Sequence, residues 1–88
     1  MKWFVYIIEC ADKTLYTGIT NNMKERLFAH QSGKGAKYTR GRGPFKLVLQ
    51  ERYRYRGLAL KREIHIKRLC KKEKLRLINS QDVETFCI

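Results

Sequence analysis

Arg26 and His30 are the first residues whose types and spacing could support chemistry. They lie one turn apart in the segment MKERLFAHQ, so a helix there would place both along one edge of its apolar stripe, neither buried nor fully outward. Hydrolysis of a phosphodiester needs a donor for the charge that develops on the phosphate and an acceptor for a proton of the attacking water. The planar fork of an arginine suits the first task. Taken alone, the two residues would be a surface arginine and a structural histidine.

Glu63 is the second candidate, because it falls near the centre of the apolar face of a predicted helix from Leu58 to Cys70. A carboxylate in that place must be paired, protonated or bound to a ligand. One interpretation is an ion pair with one of the many neighbouring Lys or Arg side chains. The other is an oxygen ligand for a divalent cation such as Mg²⁺, which a single carboxylate would hold only with help from nucleic acid phosphates.

Tyr6 and Tyr16 could also take part, although aromatic residues are common in strands. A tyrosine with its ordinary pKa near 10 is a poor base at neutral pH unless nearby cations lower that pKa. The two tyrosines would share one face of a hairpin if the loop between the strands has an odd number of residues, such as Ala11 to Lys13, and would be separated if the number is even. The residues alone leave both registers open.

The elements that must position these residues follow from the pattern of the chain. A β-hairpin is predicted from KWFVYIIEC and LYTGIT, then a helix capped by Asn22 with Glu25 and ended by Gly33. The segment FKLVLQERY predicts a third strand with Phe45, Leu47 and Leu49 on one face. The helix around Glu63 and a shorter one, roughly residues 72–78, complete the order ββαβαα. The length of 88 residues suits one domain, 1–88.

The charge of the chain predicts its class of partner. Twenty Lys and Arg against eight Asp and Glu give a net charge of +12, and residues 34–62 hold ten bases and one acid. So large an excess favours a polyanion, first nucleic acid and then acidic lipid or acidic protein. Membrane binding is disfavoured because the chain lacks a basic amphipathic helix with large apolar anchors.

The three cysteines, Cys10, Cys70 and Cys87, predict a cytoplasmic location. Their number is odd and their spacing forms neither a disulfide framework nor a zinc site. We expect reduced, mostly buried thiols. The apolar start from Trp3 to Ile8 is too short to span a membrane and no small-residue cleavage site follows it.

The order of these residues resembles the GIY-YIG nuclease family. The two name motifs correspond to Phe4-Val5-Tyr6 and Tyr16-Thr17-Gly18, Arg26 follows within KERLFAH, and Glu63 lies within LKREIHIKRL. The chain departs from the family at Phe4, Val5 and Thr17, while Asn79, just beyond the last helix, matches the family's late asparagine. The segment GKGAKYTRGRGPFKLVLQE further resembles the small stand-alone bacterial members, the YhbQ-like group.

The resemblance implies an α/β (α+β) fold with a small three-stranded antiparallel sheet flanked by helices. It also implies a one-metal mechanism with Mg²⁺ or Mn²⁺. Glu63 would hold the cation, Arg26 would stabilise the developing charge, and either Tyr6 or Tyr16 would act on the water beside Gly18. His30 would assist proton transfer.

The glycine-rich loop 34–44 would then contact the substrate. Its glycines let backbone N–H groups approach phosphates, and Tyr38 could stack on an exposed base. The charge comes from Lys34, Lys37, Arg40 and Arg42. Such contacts carry no base code, so we expect little sequence specificity and a preference for flaps, branches or single strands. The alternative for this segment is a flexible, solvated loop.

Two functions compete at this point. The first is a metal-dependent endonuclease that acts on DNA, with RNA as the other possible substrate. The second is a nucleic-acid-binding module of the same fold that cleaves weakly or not at all. Family members used in homing or repair attach this domain to others that choose the DNA site. We expect no part of this chain to do so, which leaves room for a targeting partner protein.

Overall fold

Two antiparallel strands begin the fold, and a third strand pairs with the first of them. The structure is a computed structural model that describes residues 2–80 and 86–87. Its sheet is antiparallel with the order β2-β1-β3-β4. The elements are β1 (Trp3–Glu9), β2 (Leu15–Thr20), α1 (Met23–Gln31), β3 (Lys46–Tyr53), α2 (Arg56–Lys67), α3 (Lys71–Ser80) and β4 (Phe86–Cys87). The predicted three-stranded sheet and the order ββαβαα are confirmed, and the short strand β4 extends the sheet beyond β3.

The sheet carries apolar side chains on both faces, and a different set of helices covers each one. On one face α1 packs Met23 and Leu27 against a cluster that contains Tyr6. On the other face α2 and α3 pack against a cluster that contains Val5 and Ile7. Strand β1 is therefore buried on both sides, which explains the nearly continuous apolar run with which the sequence begins.

The β1–β2 hairpin settles the register that the sequence left open. Its loop spans the five residues Cys10 to Thr14, closed by a hydrogen bond from the Cys10 N–H to the Thr14 carbonyl (2.8 Å). Tyr6 pairs with Gly18 and Ile8 with Tyr16. Because side chains alternate along a strand, this odd loop places both tyrosines on the face covered by α1.

Strand β3 differs from the prediction that Phe45, Leu47 and Leu49 share one face. Ile7 pairs with Leu49 and Ile8 with Leu47, so one extra residue of β3 forms a bulge. The bulge reverses the alternation, and Leu49 joins the cluster on the α2 face while Phe45 and Leu47 stay on the α1 face. A two-residue periodicity assumes an unbroken ladder, and for this reason it assigned Leu49 to the wrong face.

Helix α1 starts and ends as its capping residues predict. The Asn22 side chain accepts a hydrogen bond from the Glu25 N–H (3.1 Å) and donates one to the Glu25 carboxylate (3.3 Å). Gly33 follows the helix with φ of 80°, a left-handed conformation that favours glycine.

The two later helices are shifted relative to their predicted bounds. Helix α2 begins before Leu58 and ends at Lys67, so Cys70 lies outside it and is exposed rather than buried. Helix α3 continues through Asn79, which was expected beyond the last helix. Cys10 is buried as expected, and the side chain of Cys87 lies outside the described residues. Within residues 2–80 and 86–87, none of the helices has the length and apolar character needed to cross a membrane.

Candidate active site

A chain of side-chain hydrogen bonds runs through the interior below α1. The Thr39 hydroxyl donates to the Ala36 carbonyl (2.9 Å), which leaves its oxygen to accept the His30 Nδ1 proton (2.8 Å). His30 Nε2 is then the acceptor for the Tyr6 hydroxyl (2.8 Å). The Tyr6 oxygen in turn accepts from Arg26 Nε (3.1 Å). The partners thus assign every proton, and they connect loop 34–44 to Arg26.

His30 is buried, with 1% of its surface exposed, and does not lie at the helix edge where the sequence placed it. The reason is that the sheet and the loop cover that edge of α1: the ring packs against Tyr16 and Phe45 and bonds to Thr39. Burial, followed by the neighbouring charge of Arg26, lowers the pKa of His30 to about 4. The imidazole is therefore neutral at pH 7, as the direction of its hydrogen bonds requires.

Tyr6 is also fully buried, and it is neutral as well. Burial raises its pKa to about 12, although Arg26 acts in the opposite direction. A phenol with that pKa holds its proton at pH 7, and no surface of the ring reaches solvent. Tyr6 is thus placed to orient Arg26, not to contact a water molecule.

Arg26 stands half-buried beside both tyrosines. Burial by itself would lower the pKa of its guanidinium, but hydrogen bonding to the Tyr6 hydroxyl and interaction with the Tyr16 hydroxyl raise that pKa. Only Nε is bound to Tyr6, so the outer edge of the planar group can still bind an anion.

Tyr16 is only partly buried, and its ring joins the buried group to the loop. The ring centroid lies 6.3 Å from that of Tyr6, 5.3 Å from that of His30 and 6.0 Å from that of Tyr38. Tyr16 therefore combines contact with the buried group and access to solvent.

Two glycines allow these side chains to come together. A Cβ atom on Gly18 would lie 2.6 Å from the Tyr6 hydroxyl oxygen and 3.1 Å from the Tyr16 ring. A Cβ on Gly35 would lie 2.3 Å from His30 Nδ1. The space beside Tyr16 that the sequence assigned to Gly18 is thus present. Gly35 and Thr39 were missed, and only the glycine-rich composition of the loop pointed in their direction.

Glu63 lies on α2, the helix that packs against the other face of the sheet. Its side chain is 15% exposed, its carboxylate pairs with Lys67 Nζ at 3.2 Å, and its negative charge contributes to the raised pKa of Tyr6. In the described ranges, no group of three or more His, Cys, Asp or Glu side chains could hold a metal ion. A single, partly buried carboxylate fits a cation that takes its remaining ligands from water and from the phosphates of a substrate.

A second polar network fixes α2 to the sheet, and sequence reasoning missed it. Arg62 Nε and Nη2 donate to the two carboxylate oxygens of Glu51 in β3 (2.8 and 3.1 Å), and the Tyr53 hydroxyl also donates to Glu51 (2.9 Å). A helical wheel with Glu63 near the centre of the apolar face predicts Arg62 on the opposite, solvent face, whereas Arg62 contacts β3. The network fixes the helix at the residue next to Glu63.

Loop 34–44 is held to the hairpin by Arg42. The guanidinium of Arg42 pairs with Asp12 and lies 4.6 Å from the ring centroid of Tyr38. The backbone carbonyl of Arg42 accepts a hydrogen bond from the Ala11 N–H (2.8 Å). The loop also contains one turn of 3-10 helix, Lys37–Thr39. It is thus anchored at two points, while the side chains of Lys34, Lys37 and Arg40 remain exposed.

The structure brings most predicted site residues together and leaves one apart. Asn79 is exposed in the last turn of α3, whose neighbouring residues Leu77 and Ile78 pack on the sheet face opposite Tyr6. Lys71 and Lys74, which the sequence did not single out, line a groove that also includes Tyr38. The basic surface therefore continues from the loop onto α3.

Comparisons with known proteins show the family to which the chain belongs. Residues 2–76 match the GIY-YIG catalytic domain. The chain is 51% identical to the UPF0213 protein CPE1444 of Clostridium perfringens over 92% of its own length and 87% of that protein. It is 49% identical to the UPF0213 protein OB0043 of Oceanobacillus iheyensis over 92% of its length and 94% of that protein.

Solved structures show the same fold. The solution structure of the UPF0213 protein BH0048 from Bacillus halodurans is 44% identical, with a TM-score of 0.60 over 90% of this chain and 84% of the other. That of EF2693 from E. faecalis is 30% identical, with a TM-score of 0.61 over 96% and 93%. The expected relationship to the small members of the family is thereby confirmed. The chain belongs to the GIY-YIG catalytic domain family, a family of nucleases, within the group of small UPF0213 proteins.

Proposed function

We propose that this protein is a divalent-metal-dependent endonuclease that hydrolyses phosphodiester bonds of DNA, or of RNA, with little sequence specificity. The observation that carries the proposal is the buried, hydrogen-bonded pair of Tyr6 and His30, with Arg26 bound to it and the Tyr16 ring packed beside it. A structural tyrosine and histidine would not need an arginine oriented toward them from the surface.

The roles of the residues follow from their burial. His30 is neutral and is held by Thr39. It accepts a hydrogen bond from the Tyr6 hydroxyl, which orients the Tyr6 oxygen toward Arg26. Arg26 then presents its outer edge to the scissile phosphate, where charge develops during hydrolysis. Tyr16 is the tyrosine that solvent can reach, and its ring lies beside the Tyr6 and His30 pair. Tyr16 therefore orients the attacking water and accepts its proton.

Glu63 would hold Mg²⁺ or Mn²⁺ after its ion pair with Lys67 opens. When bound, the cation supplies positive charge next to the phosphate oxygens and the leaving group. The exposed cations of loop 34–44 hold the nucleic acid backbone around this point. None of these contacts reads a base, which is why we propose low sequence specificity.

The test is cleavage of labelled branched, single-stranded and duplex DNA, and of matching RNA, with Mg²⁺ or Mn²⁺. We expect Tyr16→Phe to lower the cleavage rate by roughly 10²- to 10⁴-fold, the range of general acid–base catalysis. Arg26→Gln and Glu63→Gln should give losses at least as large. Tyr6→Phe should lose less, because it removes an orienting contact and not the group that meets water. Lys24→Gln, an exposed change on the same helix as Arg26, is the matched control.

Equal cleavage by wild type and all variants would show that the activity belongs to a contaminant. Binding without cleavage by the wild type would leave the fold as a nucleic-acid-binding module. Tyr6→Phe losing more than Tyr16→Phe would exchange the roles of the two tyrosines.

A further inference from the structure

The segment Arg52 to Arg56, RYRYR, alternates arginine and tyrosine and plays no part in the proposed active site. It lies where β3 ends and α2 begins. Together with Lys2 at the start of β1, its exposed members form what we call the corner patch: Lys2, Arg52, Arg54, Tyr55 and Arg56.

The four cations of the corner patch lack acidic partners. All four are exposed, and among the described residues none of them forms a salt bridge. The nearest carboxylate in sequence, Glu51, is already bound by Arg62 and Tyr53. Like charges gathered in this way repel one another, so a polyanion that binds them relieves the repulsion.

The shape of the corner patch, like its charge, favours the binding of a polyanion. Lys2, Arg52 and Arg54 line one shallow depression with Tyr53. The guanidinium of Arg56 lies 5.6 Å from the ring centroid of Trp3, the residue that follows Lys2. Three of the four cations thus line one concave surface.

Tyr55 is the aromatic residue of this surface that is free to stack. It is 63% exposed and precedes the first turn of α2 without capping it by a side-chain hydrogen bond. Tyr38, by contrast, already packs against Tyr16 and Arg42. An exposed aromatic ring among cations is the arrangement that binds an unpaired base and its phosphates.

The position of Arg52 connects the patch to the proposed active site. Arg52 pairs with Phe4, two residues before Tyr6 on β1, and so points to the same face of the sheet as Tyr6. Two residues of a β-strand span about 7 Å. This is roughly the spacing of neighbouring nucleotides in an extended nucleic acid strand. A nucleic acid strand bound at the corner patch can therefore continue toward Arg26.

We propose that the corner patch is a second nucleic-acid-binding site that binds an unpaired strand. Tyr55 stacks on a base of this strand, and the four cations contact the phosphates of the strand. The proposal extends the proposed function by naming single-stranded nucleic acid as the substrate class. The placement of the bound strand relative to the point of cleavage rests on the proposed function, whereas the binding itself does not.

The experiment measures binding of fluorescein-labelled oligo(dT) and of a blunt duplex by fluorescence anisotropy, in EDTA so that no cleavage occurs. We expect Tyr55→Ala to weaken oligo(dT) binding roughly 5- to 100-fold, the effect of losing one stacked base, and to change duplex binding much less. Arg54→Gln should reduce the slope of log affinity against log salt by about 0.7. Phe28→Ala removes an aromatic ring that is 69% exposed on α1 and is the matched control.

The outcomes separate the two proposals. If Tyr55→Ala and Arg54→Gln bind oligo(dT) as the wild type does, the second site is overturned and the nuclease proposal is untouched. If they bind less tightly while the wild type never cleaves any substrate, the second site stands and the nuclease proposal falls. An equal loss on single strand and duplex for Tyr55→Ala would overturn the stacking role.

Discussion

At the scale of single residues, burial divides the candidate active-site residues into two groups. Tyr6 and His30 are inside and neutral, and they act by holding Arg26 in place. Tyr16, Arg26 and Glu63 keep contact with solvent. Tyr6 and His30 both have hydrogen-bond partners, so the pair is compatible with a stable fold.

The neutral state of His30 makes the stability of the protein depend on pH. The pKa of His30 falls from 6.5 to about 4 on folding, so between these pH values the unfolded chain binds a proton that the folded chain does not. We expect the free energy of unfolding to decrease as the pH falls from about 6.5 toward 4, by up to about 1.4 kcal/mol per pH unit from this group. Urea denaturation at several pH values measures it.

His30→Gln should remove this part of the pH dependence, although it lowers stability at pH 7. The other histidine, His65, is exposed on α2, and His65→Gln should keep the dependence of the wild type. The same slope in wild type and His30→Gln would contradict the assignment of a neutral, buried imidazole.

At the scale of elements, α2 determines where Glu63 lies, and the network around Glu51 determines where α2 lies. Arg62 grips both oxygens of Glu51 at a half-buried contact between helix and strand. Hydrogen bonding to Glu51 is the main cause of the raised pKa of Arg62. The structural arginine and the proposed metal ligand are therefore consecutive residues.

Replacing Arg62 by leucine leaves the Glu51 carboxylate without its main partner. We expect Arg62→Leu to lower the free energy of unfolding by about 1–3 kcal/mol, the cost of an unsatisfied polar group in a partly buried place. Arg68→Leu, a change at an exposed arginine just after α2, should cost less than about 0.5 kcal/mol. Urea denaturation compares the two.

The double variant Glu51→Gln with Arg62→Leu tests the cause. It should recover part of the loss, because the charge that was left unpaired is then absent. A double variant that is as unstable as the sum of the two single variants would show that the two side chains act independently.

At the scale of the whole molecule, the net charge is +12, and loop 34–44 and the corner patch are two of the exposed surfaces that carry its cations. Most of the described acids already pair with bases, as Asp12 does with Arg42 and Glu51 with Arg62. The remaining cations dominate the long-range field, which steers a polyanion toward the protein.

Affinity for single-stranded nucleic acid should therefore fall steeply with salt. If the three exposed loop cations and the four of the corner patch all contact phosphates, the slope of log affinity against log salt is about −5. Affinity would then fall by roughly 10³-fold between 50 and 200 mM salt. Anisotropy titrations at four salt concentrations measure the slope, and a value near zero would contradict a phosphate-binding role for these surfaces.

Local signals in the sequence predicted the features that depend on neighbouring residues. Asn22 with Glu25 and Gly33 bound α1 correctly because caps are hydrogen bonds within a single turn. The helical wheel failed for Arg62 and His30, because it reports a direction from the helix axis and not what covers that direction. Glu51 of β3 lies in the direction of the Arg62 side chain, and the sheet covers His30.

The sequence by itself determined the order of elements, the charge, and the family to which Tyr6, Tyr16, Arg26 and Glu63 belong. Only the tertiary structure decided that the two tyrosines share a face, that Leu49 does not share one with Leu47, and that Tyr6 and His30 are buried. The physical reason is that motifs and periodicities are local along the chain. Strand register, a single bulge residue and the packing of α1 onto the sheet are set by contacts between segments far apart in sequence.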